Sequence, residues 1–181
     1  MRRLLAWLAA LALVAGCKED GTKVTTIVSV ADSADQVLEG FRHFVTANGV
    51  RKSEIEADTA FFYDATQITL LRRMRVVFFD SAGATRATLT AQRGTYLWQT
   101  GNLDAEGRVE MKSADGRVLR SEKLKIDQEK QQLSSDTAFT FLERGSYVEG
   151  KSFTSDMNFS NIRASQPTGR SSGQGLLLPG Q

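Results

Sequence analysis

One short pattern recurs along this chain and constrains its fold more than any other feature: an apolar residue, a spacer, a small residue, two spacers, then a second alternating pair. It reads Ile55-x-Ala57-x-x-Ala60-x-Phe62, Leu89-x-Ala91-x-x-Gly94-x-Tyr96, Leu119-x-Ser121-x-x-Leu124-x-Ile126 and Val148-x-Gly150-x-x-Phe153-x-Ser155. The starts lie 34, 30 and 29 residues apart, and partial copies at Leu103-x-Ala105 and Leu133-x-Ser135 divide the interval. Spacing of this kind marks a repeat protein. Alternation at every second residue puts the small and apolar members on one side of a strand, and the extra residue between the pairs flips the phase, as a bulge or bend does. Each copy is therefore read as a kinked strand.

Turn chemistry agrees. Asn48-Gly49, Ser81-Ala82-Gly83, Thr100-Gly101-Asn102, Ser113-Ala114-Asp115-Gly116 and Glu143-Arg144-Gly145-Ser146 supply residues that tolerate the left-handed backbone of tight hairpins. No proline falls between residues 17 and 166, as suits strands that must all donate to a ladder. Val37, Phe41 and Val45 fit either one face of a helix or alternate positions of a first strand; strand is adopted because everything after them is β. Strands that cannot bury an apolar face alone must fold over one another, so the fold expected is all-β, a repetitive antiparallel twisted jelly roll of two facing sheets of bent strands. The inner faces would carry Ile55, Phe62, Leu89, Tyr96, Val109, Met111, Leu119, Leu124, Ile126, Phe139, Phe141, Val148 and Phe153. The outer faces would carry Arg86, Gln92, Glu110, Lys123, Lys125 and Lys151. Ala57, Ala91, Ser121 and Gly150 would mark the bend.

The ends read differently. Arg2 and Arg3 followed by an apolar run from Leu4 to Val14 form a targeting signal too short to span a bilayer. It closes on Leu13-Val14-Ala15-Gly16-Cys17, which resembles the lipobox of bacterial lipoproteins, so Cys17, the single cysteine, is the expected lipid anchor to a membrane. Residues 1–16 are then the signal peptide, 17–35 a lipidated tether, 36–163 the β domain and 164–181 a disordered tail. Removing residues 1–16 takes away two of the 23 basic residues and leaves them equal to the 21 acidic ones. With no basic block or interleaved aromatic stripe, a nucleic-acid partner is not expected.

Catalytic signals fail one by one. Gly145-Ser-Tyr-Val-Glu-Gly150-Lys151-Ser152 matches the phosphate-loop pattern, and Val76-Val77-Phe78-Phe79-Asp80 looks like its metal-binding partner strand. A phosphate loop must open a helix, whereas this stretch carries Glu149 where phosphate would sit and runs into the alternating Phe153 to Phe159. His43 is the only histidine, which leaves no histidine metal cluster and no cofactor or metal site to propose. No carboxylate pair stands out as acid and base, so the chain is not read as an enzyme. Trp98, near a turn, is a candidate rim residue.

The signal, the tether, Asp35-Gln36-Val37-Leu38-Glu39-Gly40, the stretch Gly49-Val50-Arg51-Lys52-Ser53-Glu54-Ile55-Glu56-Ala57-Asp58-Thr59-Ala60 and the bent-strand repeat together resemble the LptC family of lipopolysaccharide-export proteins, relatives of LptA and of the N-terminal part of LptD. The resemblance covers about residues 35–160. It implies a non-catalytic periplasmic carrier that takes lipopolysaccharide from the inner-membrane LptB/LptF/LptG transporter and passes it along an apolar groove, built from the inner-face residues named above, to an LptA-like bridge protein held by strand addition at an edge. This chain departs from the commonest family pattern in having Cys17 in place of a transmembrane helix; inner-membrane anchoring is favoured on family grounds. The alternative is a lipid-anchored structural module whose interior is filled by its own side chains.

Overall fold

The first three kinked repeats each become one long strand that bends, with the bends lined up across the sheet, whereas the fourth, read as a kinked strand, is divided into two short strands at Lys151. The computed structural model describes residues 33–170. In chain order the strands are β1 (Gln36–Ala47), β2 (Val50–Tyr63), β3 (Ile68–Phe79), β4 (Thr85–Leu97), β5 (Leu103–Ser113), β6 (Val118–Asp127), β7 (Gln132–Ser135), β8 (Phe139–Glu143), β9 (Ser146–Gly150), β10 (Ser152–Asp156), β11 (Arg163–Ser165) and β12 (Thr168–Arg170). The first six pair antiparallel in sequence order, and Asn48-Gly49 closes the first hairpin with both φ angles positive, at 53° and 75°. Residues 36–47 are thus strand, as adopted from the sequence.

The phase flip is a seam. Pairing is continuous on either side of Gly40, Asp58, Arg73, Gln92, Gly107-Arg108 and Glu122, and skips those residues. Gly40, Arg73, Gly107 and Arg108 take φ values of 62°, 49°, 78° and 47°, so β1, β3 and β5 turn through the left-handed region while the strands between them supply the two spacers of the repeat. For an arginine that conformation costs about 1–2 kcal/mol. Packing of the two arms sets the bend, and Arg73 Nε meets Asp58 Oδ2 at 2.5 Å across the seam. The Gly107 position suits glycine chiefly through its φ of 78°, and a Cβ there would also crowd the Gln92 side chain, 3.1 Å from its Cβ.

Beyond β6 the kink becomes a break. The first half of β6 pairs with β8 and the second with β7; the sheet then continues as β8-β9-β12 on one arm and β7-β10-β11 on the other. The Asp136–Ala138 break frees backbone groups, and a buried hydroxyl cluster takes them up. Ser121 Oγ lies 3.1 Å from Ser135 Oγ and 2.9 Å from Thr137 Oγ1 and donates to the Ala138 carbonyl at 2.9 Å, while Ser135 Oγ accepts the Thr137 N–H at 3.1 Å. Ser121→Ala removes the hub of this cluster and is expected to lower stability by about 1–3 kcal/mol, read as an earlier urea midpoint; an unchanged midpoint would show that the hydroxyls are not structural.

The arms fold over a single core, in which Leu89, Met111, Leu124 and Leu133 are wholly buried. Residues 164–170 are strand and turn, not the disordered tail expected of them. Ala164 packs against the core as part of β11, and residues through Arg170 form β12, because the two arms need an outer strand to cover β10 and β9. Residues 1–32 and 171–181, with the signal peptide, Cys17 and most of the tether, lie outside the described residues.

Candidate functional site: the mouth between the arms

The two arms meet along the seam and part at the opposite side, where their strand ends frame a cavity of about 550 Å³. One wall comes from Val45, Ile55, Val76 and Phe78, the other from Tyr96, Leu103 and Ile126. The apolar character of both walls follows directly from the repeat: every second residue of each arm faces inward.

Of the inner-face residues expected from the sequence, Ile55, Tyr96 and Ile126 reach this cavity. Leu89, Met111, Leu119, Leu124, Phe141, Val148 and Phe153 are buried in the common core. Val109 and Phe139, also buried, lie at the floor of a shallower concavity beside the seam, among Arg108, Glu110, Arg120 and Glu149. Phe62 is only partly buried and joins an aromatic corner with Phe41, His43, Tyr96 and Trp98 next to the β1 edge. The His43 ring meets Trp98 edge-on at 4.7 Å, and the Trp98 Nε1–H donates to Thr69 Oγ1 at 2.8 Å. Burial lowers the His43 pKa and raises that of the Tyr96 hydroxyl. Trp98, just past the end of β4, is 39% exposed.

A loop closes the other side of the mouth. After β10 the chain turns at Asp156, whose Oδ1 accepts the N–H groups of Asn158 and Ser160 at 2.9 Å each. Met157 and Phe159 then drop into the core, with the Phe159 ring 6.0 Å from Phe141. From the facing arm, Arg86 Nη1 donates to Asn158 Oδ1 at 3.1 Å and Arg117 Nη1 to the Phe159 carbonyl at 3.3 Å. This clasp had no signature in the sequence beyond the alternation of Phe153 to Phe159, which ends as a turn and not as strand.

Arg86 was expected on the outer face and is not there. Phe78 pairs with Ala87 but Phe79 with Thr85, so Arg86 is the extra residue of a β-bulge, which re-aims its side chain into the mouth. Its Nε is buried and has no hydrogen-bond partner. The other expected outer residues hold their places: Gln92, Lys123, Lys125 and Lys151 are exposed, and Glu110 binds Lys112 and Arg120.

The phosphate-loop match resolves into the β9 strand and the start of β10. Gly145 makes the β8–β9 turn, the Lys151 N–H donates to the Ser165 carbonyl at 3.1 Å, and the residues after it are strand. No group of three or more metal-ligating side chains occurs among the described residues, and no helix among them is long and apolar enough to cross a membrane.

Among the described residues three strands lie at edges: β1, which pairs there with β2 alone and exposes Val37, Leu38 and Phe44, and β11 and β12, which end the two arms.

Residues 4–163 match the family model described as lipopolysaccharide-assembly, LptC-related. The chain belongs to this family. Among solved structures, this LptC-related chain is similar to LptH, described as the LptA homologous periplasmic component of the lipopolysaccharide transport device of Pseudomonas aeruginosa. The TM-score is 0.51 at 14% identity, over 71% of this chain and 88% of that one. At that identity the likeness establishes the fold alone, the all-β jelly roll expected from the repeat. No curated protein matches the LptC-related chain.

Proposed function

We propose that this LptC-related chain is a non-catalytic periplasmic carrier of lipopolysaccharide. It takes the lipid from an inner-membrane ABC transporter of the LptB/LptF/LptG type and passes it between its arms to an LptA-like bridge protein. The observation that carries this reading is the apolar mouth: two arms of one bent sheet, continuous along a seam and bridged on the far side by the clasp loop, present facing apolar walls that open to solvent and lead into a continuous core. Acyl chains entering there would gain about 0.8 kcal/mol per CH₂ buried. The open β1 edge and the terminal β11 and β12 edges suit strand addition, in which backbone hydrogen bonds supply affinity and side chains supply choice of partner. Cys17 would hold the domain at the inner membrane through its lipid, with the polar stretch up to residue 35 as spacer.

A second reading, a lipid-anchored structural module, draws on the full burial of Leu89, Met111 and Leu124, which fill the interior themselves. Under the carrier reading those residues meet lipid only when the arms separate. Photo-crosslinking residues placed at Ile55, Leu89, Leu119 and Phe139 test the difference in cells. Adducts to lipopolysaccharide at the mouth and at the deeper positions are expected. Adducts at Ile55 alone would limit the protein to surface capture, and none at any of the four positions in a folded protein would leave the structural module standing.

A further inference from the structure

The rim of the mouth carries two cations, and both are there because of backbone irregularities. Arg86 is the extra residue of the β3–β4 bulge. On the next strand pair, Val45 opposes Ser53 while Thr46 opposes Arg51, so Lys52 is likewise the extra residue of a bulge and lines the same cavity. In a regular ladder the register of Ser53 and Ala87, both buried, would send their neighbours Lys52 and Arg86 to the outer face. Two bulges at one level on β2 and β4, flanking the Phe78 and Phe79 positions of β3, bring both to the rim of the mouth instead, Arg86 half-buried and Lys52 exposed. β2 and β4 are separated by one strand, which places the two backbones about 10 Å apart.

Neither cation has a carboxylate within ion-pair distance among the described residues, although ten ion pairs do form elsewhere on the domain. The acidic group of the cavity lining is Asp80; its Oδ1 accepts the N–H groups of Ala82 and Ala84 at 2.9 Å each, and its charge acts on Arg86 through space without forming an ion pair. Arg86 Nη1 holds Asn158, while its buried Nε lacks an acceptor. The Nε is enclosed, so an anion at the rim would meet the terminal nitrogens of the guanidinium, a forked donor suited to phosphate oxygens.

We infer that Lys52 and Arg86 form a headgroup site at the rim of the mouth, which takes the phosphate groups of an acylated amphiphile while its chains enter between the apolar walls. This rests on the lipid-carrier reading and adds to it a determinant of selectivity: the acyl chains supply affinity, and the two cations select lipids that carry phosphate close to the chains. Arg86 also ties the site to the clasp, since the guanidinium that would meet phosphate is the one that holds Asn158.

Binding of lipid A and of phosphatase-treated lipid A to the folded protein, followed by intrinsic Trp98 fluorescence in detergent, tests this assignment. The wild type is expected to bind the phosphorylated form at least about tenfold more tightly, since each charge-assisted contact contributes about that factor. In the K52Q/R86Q variant the ratio of the two affinities should fall to near one. K52Q alone leaves the Asn158 contact in place and should lower the ratio partway, whereas R86K, which keeps the charge, should preserve most of it; these two keep the test valid if the double variant does not fold. Inorganic phosphate titrated alone should neither saturate the protein nor displace lipid A. Tight binding of inorganic phosphate, a wild-type ratio near one, or a ratio untouched by K52Q and by the double variant would overturn the headgroup site while leaving the carrier reading intact. Failure of both lipids to bind the folded wild type would overturn the carrier reading as well.

Discussion

Replacing Phe159 with alanine is expected to cost about 3–5 kcal/mol of stability, the largest effect of any single truncation in the clasp. Its ring is 4% exposed and packs against Phe141 between the arms. Phe159 also holds a φ of 55°, so the loop pays for its shape in backbone strain and depends on the buried ring to keep it. Alanine keeps the strain and loses the ring. Thermal unfolding of the variant should begin well below that of the wild type, and limited proteolysis should cut first within residues 157–162. Phe159→Leu fills most of the same space and should lose less than half as much. If the alanine variant unfolds with the wild type, the loop is a surface decoration and not a clasp.

The second large effect is expected at Leu124, the first inward residue of β6 beyond the seam. It has no exposed surface and sits opposite Ala105 on β5. The small partner means that no neighbouring side chain is long enough to refill the space from that side. Leu124→Ala should therefore lie toward the upper end of the cost of about 2–5 kcal/mol known for buried Leu truncation, since that cost grows with the cavity left behind. Chemical denaturation with a common slope for variant and wild type would measure it. A loss below about 1 kcal/mol would mean that the arms collapse onto the cavity, a flexibility that an opening carrier would need. Leu124→Met, which conserves volume, should cost less than about 1.5 kcal/mol.

The relation of stability to function differs between these two positions. Leu124 lies on the seam side, where the arms are joined through the ladder, and its loss weakens the hinge. Phe159 lies on the far side, where no ladder joins the arms and side-chain contacts from Arg86, Arg117 and the two buried residues of the loop bridge them over the shared core. Those contacts are the ones that must yield if the arms separate to admit lipid.

The sequence alone determined the long strands of the first three repeat copies, their turns and most of the residues that face inward, because a period of two and a flipped phase are local properties of the backbone that each of these repeats states independently. Ile55, Leu89, Leu119 and their counterparts are buried where alternation put them, and Asn48-Gly49 turns where its tolerance of positive φ requires. The same register placed the phosphate-loop match within the fourth repeat copy, and those residues are strand. The family was legible as well, since its signature is that repeat together with the entry stretch around Arg51 and Ala57.

Only the tertiary structure decided the rest. A bulge moves one residue out of register, and nothing in Thr85-Arg86-Ala87 or Arg51-Lys52-Ser53 announces it; the facing strands impose it, and with it the direction of Arg86 and Lys52. Arg73 in the left-handed region is another case, a local cost that no propensity favours and that the bend of neighbouring strands enforces. The split of the sheet after β6 depends on Ser121 finding Ser135, Thr137 and Ala138, residues 14 to 17 positions away. Chain alternation sets which side chains face the interior, but the pairing of distant strands sets where that interior opens and what charge stands at its rim.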